Sequence, residues 1–417
     1  MTDATEADTS GAGTATEADL LSWDFIQDPY LTYREMRAGP GPRRLVIKTL
    51  GTGLHAWLVT EYGDVRRLLA DPRLSKAAGG AAPIIAKHST EEASGESITS
   101  ESMLFSDPPR HSRLRRLFGR AFTMHRTENL RPRIEELTDQ VLGSIPTGAE
   151  IDLVESVAMA IPISVIGELL GVPRAAHHDL RRWNRTLTSV DSQQPEKYRA
   201  YMASLEYFRN LIAEKVRSHD TADDLINAMI DPDNEERFDE FELLSTIFLV
   251  MNAGYETTAN LISSSVYALL KHPDQLELLR GDSTLIPNAV EEVLRYESPL
   301  NLSTLRYTTE PVEIGDTVVP AGEVVFLALC SANRDADRFA EPDRLDIRRN
   351  AAAQLAFGHG IHHCVGAPLA RLEGQIVLAR LLDMFPRWEA AEPLDRLSWR
   401  YSLQFRGLER LPVRLHA

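Results

Sequence analysis

One stretch of the chain gathers residues fit for metal chemistry: Phe357-Gly358-His359-Gly360-Ile361-His362-His363-Cys364-Val365-Gly366. It holds one of only two cysteines in 417 residues, set among three glycines and three histidines. The run Pro368-Leu369-Ala370-Arg371 opens an amphipathic segment directly after it. Glycines let the backbone turn where a side chain would clash, and the free N–H groups and dipole of a helix start favour negative charge on sulfur. The pattern predicts a tight loop that delivers a thiolate to the start of a helix, where it can bind a metal. Two other readings compete. A lone cysteine can be a small buried hydrophobe. Zinc could draw on His359, His362, His363 and Cys364, but adjacent histidines rarely face one ion together. No second Cys-x-x-Cys or His-x-x-x-His supplies the remaining ligands.

Three further constellations carry chemical groups. Ala253-Gly254-Tyr255-Glu256-Thr257-Thr258 sets a glycine, a carboxylate and two hydroxyls at the centre of an otherwise apolar segment. Threonines can bond back to a helix carbonyl with no further role; an acid beside a hydroxyl can also move protons. Between Arg110 and Arg133 stand eight arginines, His111, His125 and a single acid, Glu128. His111 and Arg115 are four apart and share one helix face, where they could clamp a carboxylate. Glu292 and Arg295 are spaced to meet on a helix, a signal that is common on surfaces and weak alone.

These residues need elements to hold them. Asp239 to Lys271 reads as one helix of some thirty residues, about 50 Å long at 1.5 Å per residue, stopped by His272-Pro273. Apolar residues run nearly all round it, so it should pass through the middle of the molecule. Asp28 and Pro29 mark the start of a first helix to about Arg37. Arg44 to Leu50 and Ala56 to Thr60 read as strands joined by Gly51-Thr52-Gly53. Short strands are expected around Glu310 to Ile314, Thr317 to Val319 and Val324 to Leu329, with Cys330 as a core strand residue. Lys76 to Ser102 lacks periodicity and reads as a functional loop. Residues 131 to 218 read as mostly helical. The fold class is thus mainly α with a small β region (α+β).

The loop pattern Phe-Gly-x-Gly-x-His-x-Cys-x-Gly, carried by Phe357, Gly358, Gly360, His362, Cys364 and Gly366, resembles the haem-binding loop of the cytochromes P450. The resemblance implies the P450 fold, with haem b between the long central helix and the helix after the cysteine loop. It implies that Cys364 is the axial thiolate of the iron, a ligand that favours O–O cleavage. Asp107-Pro108-Pro109-Arg110-His111-Ser112-Arg113-Leu114-Arg115-Arg116 is similar to the family's third helix, which implies that His111 and Arg115 hold one propionate. Arg306 and His362 are implied to hold the other, with Phe357 at the haem. The turn around Glu256 and Thr257 resembles the family's oxygen-activating turn, and these two would serve oxygen activation and proton relay. Glu292, Arg295 and Arg344 would form its buried Glu-Arg-Arg network, which is structural. Leu249, Asn252, Ala253, Leu300, Asn301 and Leu302 would border the substrate pocket, with 76–102 lining part of it. Roughly 174–217 would be a movable lid, and the turn Tyr401 to Arg406 would return to the pocket. Within the family the chain is similar to actinobacterial macrolide and polyketide hydroxylases.

Composition agrees with such an enzyme. The chain is 43% hydrophobic and 25% charged, long enough for a large core. A net charge of −16 speaks against general affinity for nucleic acid or anionic membrane. Residues 1–22 carry five acids and neither Lys nor Arg in the first twenty, so they read as a disordered acidic tail and not a signal peptide. Residues 23–417 form one domain. No stretch approaches the ~18 apolar residues of a membrane span, and two cysteines fit a reducing cytoplasm. The expectation is a monomeric cytoplasmic monooxygenase that hydroxylates or epoxidises a bulky apolar natural product. Its electrons would come indirectly from NAD(P)H through ferredoxin reductase and ferredoxin, with Arg113, Arg116 and Arg120 free for docking. Two alternatives are a P450 of oxidative coupling or peroxide-driven chemistry, and a non-catalytic haem-thiolate sensor.

Overall fold

The computed structural model describes residues 20–39, 41–49, 52–86, 101–188, 194–220, 222–231 and 236–417. Helices dominate, and eight position the site: α1 (Arg110–Ala121), α2 (Arg131–Gly143), α3 (Ala160–Leu169), α4 (His177–Thr188), α5 (Gln194–Ser218), α6 (Glu240–Lys271), α7 (Ile286–Tyr296) and α8 (Ala367–Met384). The strands are β1 (Arg43–Thr49), β2 (Thr52–Val59), β3 (Leu74–Ser75), β4 (Glu150–Asp152), β5 (Arg306–Thr308), β6 (Val312–Ile314), β7 (Thr317–Val319), β8 (Val324–Leu327), β9 (Arg387–Ala390) and β10 (Pro412–His416). They form a five-stranded sheet of order β1-β2-β8-β5-β3, a three-stranded sheet β4-β10-β9 and the hairpin β6-β7. Among these pairings only β2 with β8 is parallel, Trp57 lying opposite Val325. This is the predicted mainly α architecture with a small β region.

The α6 helix organises the core. Asp239 caps it by accepting from Glu242 N–H, while the Glu242 carboxylate accepts from Asp239 N–H, a reciprocal capping box. Lys271 in the last turn suits the dipole, and Pro273 starts the next helix after His272. Phe248, Met251, Leu261, Ile262 and Val266 bury α6 in the largest apolar cluster, with Ile161 and Ile166 from α3 and Leu372 and Ile376 from α8. A second cluster packs Leu45, Leu58 and Phe326 of the main sheet against Phe25, Ile26 and Tyr33. Among the described residues no helix is long and apolar enough to cross a membrane.

Several sequence expectations change here. The packed chain starts ahead of Trp23, because Leu20 is already buried in the second cluster; residues 1–19 of the expected tail lie outside the described residues. The first helical segment divides into Trp23–Gln27 and Tyr30–Arg37, since Pro29 caps the second. The expected loop from Lys76 instead contains a helix, Ala78–Ala86, built on an alanine-rich run; its later part, 87–100, lies outside the described residues, as do Leu50 and Gly51 of the β1–β2 turn. Cys330 is buried as expected, but in the short helix Leu329–Ala332 and not in a strand. The chain turns immediately after β8, so the apolar run divides between strand and helix.

Candidate active site

The cysteine loop is closed by its own backbone. Cys364 N–H donates to the Phe357 carbonyl at 2.9 Å, and Gly358 and Gly360 adopt φ of 72° and 77°. A Cβ on Gly360 would lie 2.8 Å from Ala70 Cα, so the loop needs glycine there for space as well as for φ. Gly366 then caps α8, with Pro368 in the first turn. Cys364 is exposed, unlike the buried Cys330. Its thiol pKa is nonetheless raised, chiefly because much protein encloses it; the Gly366 and Ala367 amides and the Arg115 and Arg371 guanidinium groups pull the other way. Those amides and cations are the groups that would steady a thiolate. Arg371 lies 4.4 Å over the Phe357 ring and pairs with Glu291, which fixes the loop to α7.

A basic cluster flanks the loop. His111 and Arg306 are buried, and the ring centroids of His111 and His362 are 4.3 Å apart. Arg115 Nη2 donates to the His363 carbonyl at 2.8 Å, joining α1 to the loop. Both ring nitrogens of His111 and Nε of Arg306 are buried without a hydrogen-bond partner among the described residues. Burial and the nearby Lys76, His111, Arg306 and Arg115 push the His362 pKa down to about 2, so this imidazole is neutral. Burial, with Asp107 as the opposing charge, brings Arg306 down to about 10. Such a collection of cations and idle donors fits a ligand that carries carboxylates. Among the described residues no three His, Cys, Asp or Glu side chains gather to hold a bare ion. A metal brought by an organic group with one protein thiolate is therefore the better match to the donor set.

Along α6, Leu249 and Thr257 are half-buried and Ala253 is exposed, although most of the helix is buried. Their i, i+4, i+8 spacing makes one stripe on one face. Thr257 Oγ1 donates to the Ala253 carbonyl at 2.7 Å, the back-bonded state open to any helical threonine. Glu256 turns elsewhere: it is 1% exposed and ion-paired with Arg400 of the C-terminal turn. The expected neighbours in a relay thus point to different partners. Gln27 holds that turn through both the N–H and the carbonyl of Trp399.

The pocket expectations divide. Leu249 and Ala253 lie on the Thr257 stripe, and Leu300 is half-buried beside Phe405, its bridge partner. Asn252 instead faces Asn184 of α4. Asn301 borders a small cavity with Ile26, Trp399 and Phe405, where it accepts from Tyr33 Oη at 2.7 Å and donates to the Leu403 carbonyl. Leu302 is core, packed in the cluster of Leu45 and Phe326. Both are drawn inward because their backbone crosses the sheet edge, a placement that local sequence does not encode.

The buried Glu-Arg-Arg network also needs a correction. Glu292 and Arg295 are fully buried and doubly bonded at 2.8 Å. The third arm is Arg349, with Nε 3.1 Å from Glu292 Oε1. Arg344 supplies only a backbone carbonyl to Arg295; its side chain is 60% exposed and pairs with Glu341. Arg113 and Arg116, expected free, are bound to Glu242 and Glu236, while Arg120 is exposed and among the described residues has no ion pair. Sequence reasoning missed Arg349, Arg400 and Lys76; Lys76 follows directly on strand β3, and nothing local marked it.

Comparisons with known proteins show the family. The family model for cytochrome P450 matches residues 180–399. Cytochrome P450 107B1 of Saccharopolyspora erythraea is 46% identical over 403 residues, covering 95% of this chain and 98% of that protein. The 6-deoxyerythronolide B hydroxylase of the same organism is 37% identical over 408 residues, covering 96% and 99%. The structure of the P450 monooxygenase TamI bound to tirandamycin C superposes with a TM-score of 0.88 at 42% identity, covering 96% of this chain and 100% of that one. By sequence and by fold, the chain belongs to the cytochrome P450 family of haem-thiolate monooxygenases.

Proposed function

We propose that this enzyme hydroxylates a bulky, mostly apolar natural product of macrolide or polyketide type. The observation that carries the proposal is the partly exposed stripe of Leu249, Ala253 and Thr257 on a helix otherwise deep in the core. It gives an apolar surface ending at a hydroxyl, as a large substrate with one reacting position requires. The 6-deoxyerythronolide B hydroxylase and the tirandamycin C-bound enzyme support a substrate of that size.

In this reading Cys364 is the thiolate ligand of haem b, with Phe357 beside it. His111, Arg115, Arg306 and His362 would hold the two propionates, the arginines by charge and the imidazoles by N–H donation. When bound, haem supplies the activation of dioxygen and its insertion into substrate, while the protein orients substrate and controls water. Leu249, Ala253 and Leu300 exclude water from the reacting position. Thr257 donates its hydroxyl proton to Ala253, so its oxygen lone pairs are left to accept and orient a donor. Glu256, held by Arg400, is the carboxylate that takes up and passes on protons. Electrons come from a ferredoxin reduced by its reductase at the expense of NAD(P)H, in the cytoplasm, to a monomeric enzyme. The described chain from Leu20 onward acts as one domain.

The reduced protein under carbon monoxide should absorb near the wavelength for which the family is named. A Soret band typical of histidine-ligated haem would sink the thiolate assignment. A panel of polyketides screened for the spectral shift on substrate binding should then contain binders. A panel in which only small or charged molecules shift the spectrum overturns the substrate class.

A further inference from the structure

Helices α4 and α5 leave the body of the molecule and return to it at one place. The chain departs at Gly171, just after α3, and comes back through Asp220 and Asp224, just after α5. There Lys215 Nζ, in the last turn of α5, lies 2.8 Å from Asp220 and 2.6 Å from Asp224. Lys215 and Asp224 are only 6% and 5% exposed, so this is a buried charge cluster. Gly171 closes it: a Cβ there would stand 2.3 Å from Asp224 Oδ2 and 2.8 Å from Lys215 Nζ. The backbone is left-handed at both crossings, with φ of 67° at Gly171 and 51° at His219. Asp224 also belongs to the body. Its other oxygen accepts from Asn227 N–H at 2.9 Å and caps the helix Leu225–Ile230, whose Leu225, Ile226 and Met229 lie in the largest apolar cluster.

Beyond this cluster α4 and α5 pack on each other, with the rings of Trp183 and Tyr207 centred 5.5 Å apart. They meet α6 through Tyr201 and Phe208 against Phe248, and through the Asn184–Asn252 amide pair. Ring contacts can slide, and a neutral amide bond exchanges with water at little net cost. A buried ammonium separated from its carboxylates has no such exchange. When α4 and α5 shift against α6, the charge cluster is therefore the joint that stays closed.

We propose that the cluster of Lys215, Asp224 and Gly171 is the hinge on which α4 and α5 move together as a lid, admitting bulky molecules to the stripe of Leu249, Ala253 and Thr257. The proposal rests on that stripe being the substrate surface.

Two measurements on the holoenzyme test it. Asp224→Asn removes the charge opposite Lys215 and keeps the cap, because asparagine caps a helix as well as aspartate does. Amide hydrogen exchange should rise about tenfold throughout both α4 and α5 and remain unchanged in α3. A rise confined to Leu225–Ile230, no rise at all, or an equal rise in α3 overturns the hinge. Stopped-flow binding of two iron ligands follows. Clotrimazole, too bulky to enter past a closed lid, should bind and leave about tenfold faster, while the rates for imidazole should stay within about twofold. Unchanged clotrimazole rates, or the same acceleration for imidazole, overturn the proposal. Gly171→Ala, whose methyl enters the cluster, should act like Asp224→Asn, and the double variant should be no faster than either alone; additive acceleration would mean two independent faults and no common joint. If Asp224→Asn does not fold, Asp220→Asn, at an exposed position, enters the same comparisons. Azoles that shift no haem spectrum in the unsubstituted chain overturn the cofactor reading, and clotrimazole that binds while polyketides do not overturns the substrate reading; in both cases hydrogen exchange still decides the hinge.

Discussion

Thr257 and Glu256 are adjacent in sequence, and their side chains have different partners. Thr257 donates to Ala253 at 2.7 Å, whereas Glu256 is sequestered by Arg400. Thr257→Ala removes no packing partner and leaves the haem clamp intact. The variant should therefore bind haem normally while electrons leak to peroxide, and the ratio of product formed to NAD(P)H consumed should fall several-fold. Full coupling in this variant would remove Thr257 from oxygen activation. Glu256 is a buried carboxylate whose described ion pair is with Arg400, and losing one partner of a buried pair costs about 3 kcal/mol or more. Arg400→Met should lower the denaturation midpoint markedly, and adding Glu256→Gln should recover most of the loss. Additive losses in the double variant would mean that the two residues act independently.

At the scale of elements, three joints set the site. The α6 capping box is tied to α1 because Glu242, which closes the box, also takes Arg113. The second joint is the buried network under the cysteine loop. Arg349→Leu leaves Glu292 with one fewer cation and should cost about 3 kcal/mol. Arg344→Leu, with an exposed side chain, should fall within ~0.5 kcal/mol of the unsubstituted protein. Chemical denaturation of both variants checks the ordering, and the reverse order would reinstate Arg344. The third joint is Gly360, whose Cβ would meet the Ala70 backbone. Gly360→Ala should therefore displace the loop and reduce haem content as expressed, measured as the ratio of Soret to protein absorbance.

For the whole molecule the relevant quantity is charge. The chain carries −16 in total, yet the helix beside the cysteine loop is rich in arginine. An acidic ferredoxin would be steered to that face by charges that are free to reach it. Arg120 is exposed and unpaired among the described residues, whereas Arg113 is committed to Glu242. Arg120→Glu should slow ferredoxin-driven reduction several-fold at low salt, with the difference shrinking as salt rises. Stopped-flow reduction across an ionic-strength series measures it, and a salt-independent rate equal to the unsubstituted protein's would take Arg120 out of the docking face. Arg113→Glu should instead show itself as lost stability.

The amino-acid sequence by itself determined the local parts of this enzyme. The glycines around Cys364, the cap Asp239 with Glu242, and the stop at His272-Pro273 act over a few residues, so the loop and the long helix were legible with nearly correct bounds. The i, i+4 pairing of His111 with Arg115 and the i, i+3 pairing of Glu292 with Arg295 were legible for the same reason. Only the tertiary structure decided which distant side chain completes each group. Arg349 and not Arg344 reaches Glu292, Arg400 meets Glu256 across 144 positions of chain, and Lys76 enters the basic cluster. Asn301 and Leu302 turn into the core because the path of the sheet edge orients them. Local periodicity specifies which face of an element is apolar; what faces it is set by packing between elements far apart in sequence.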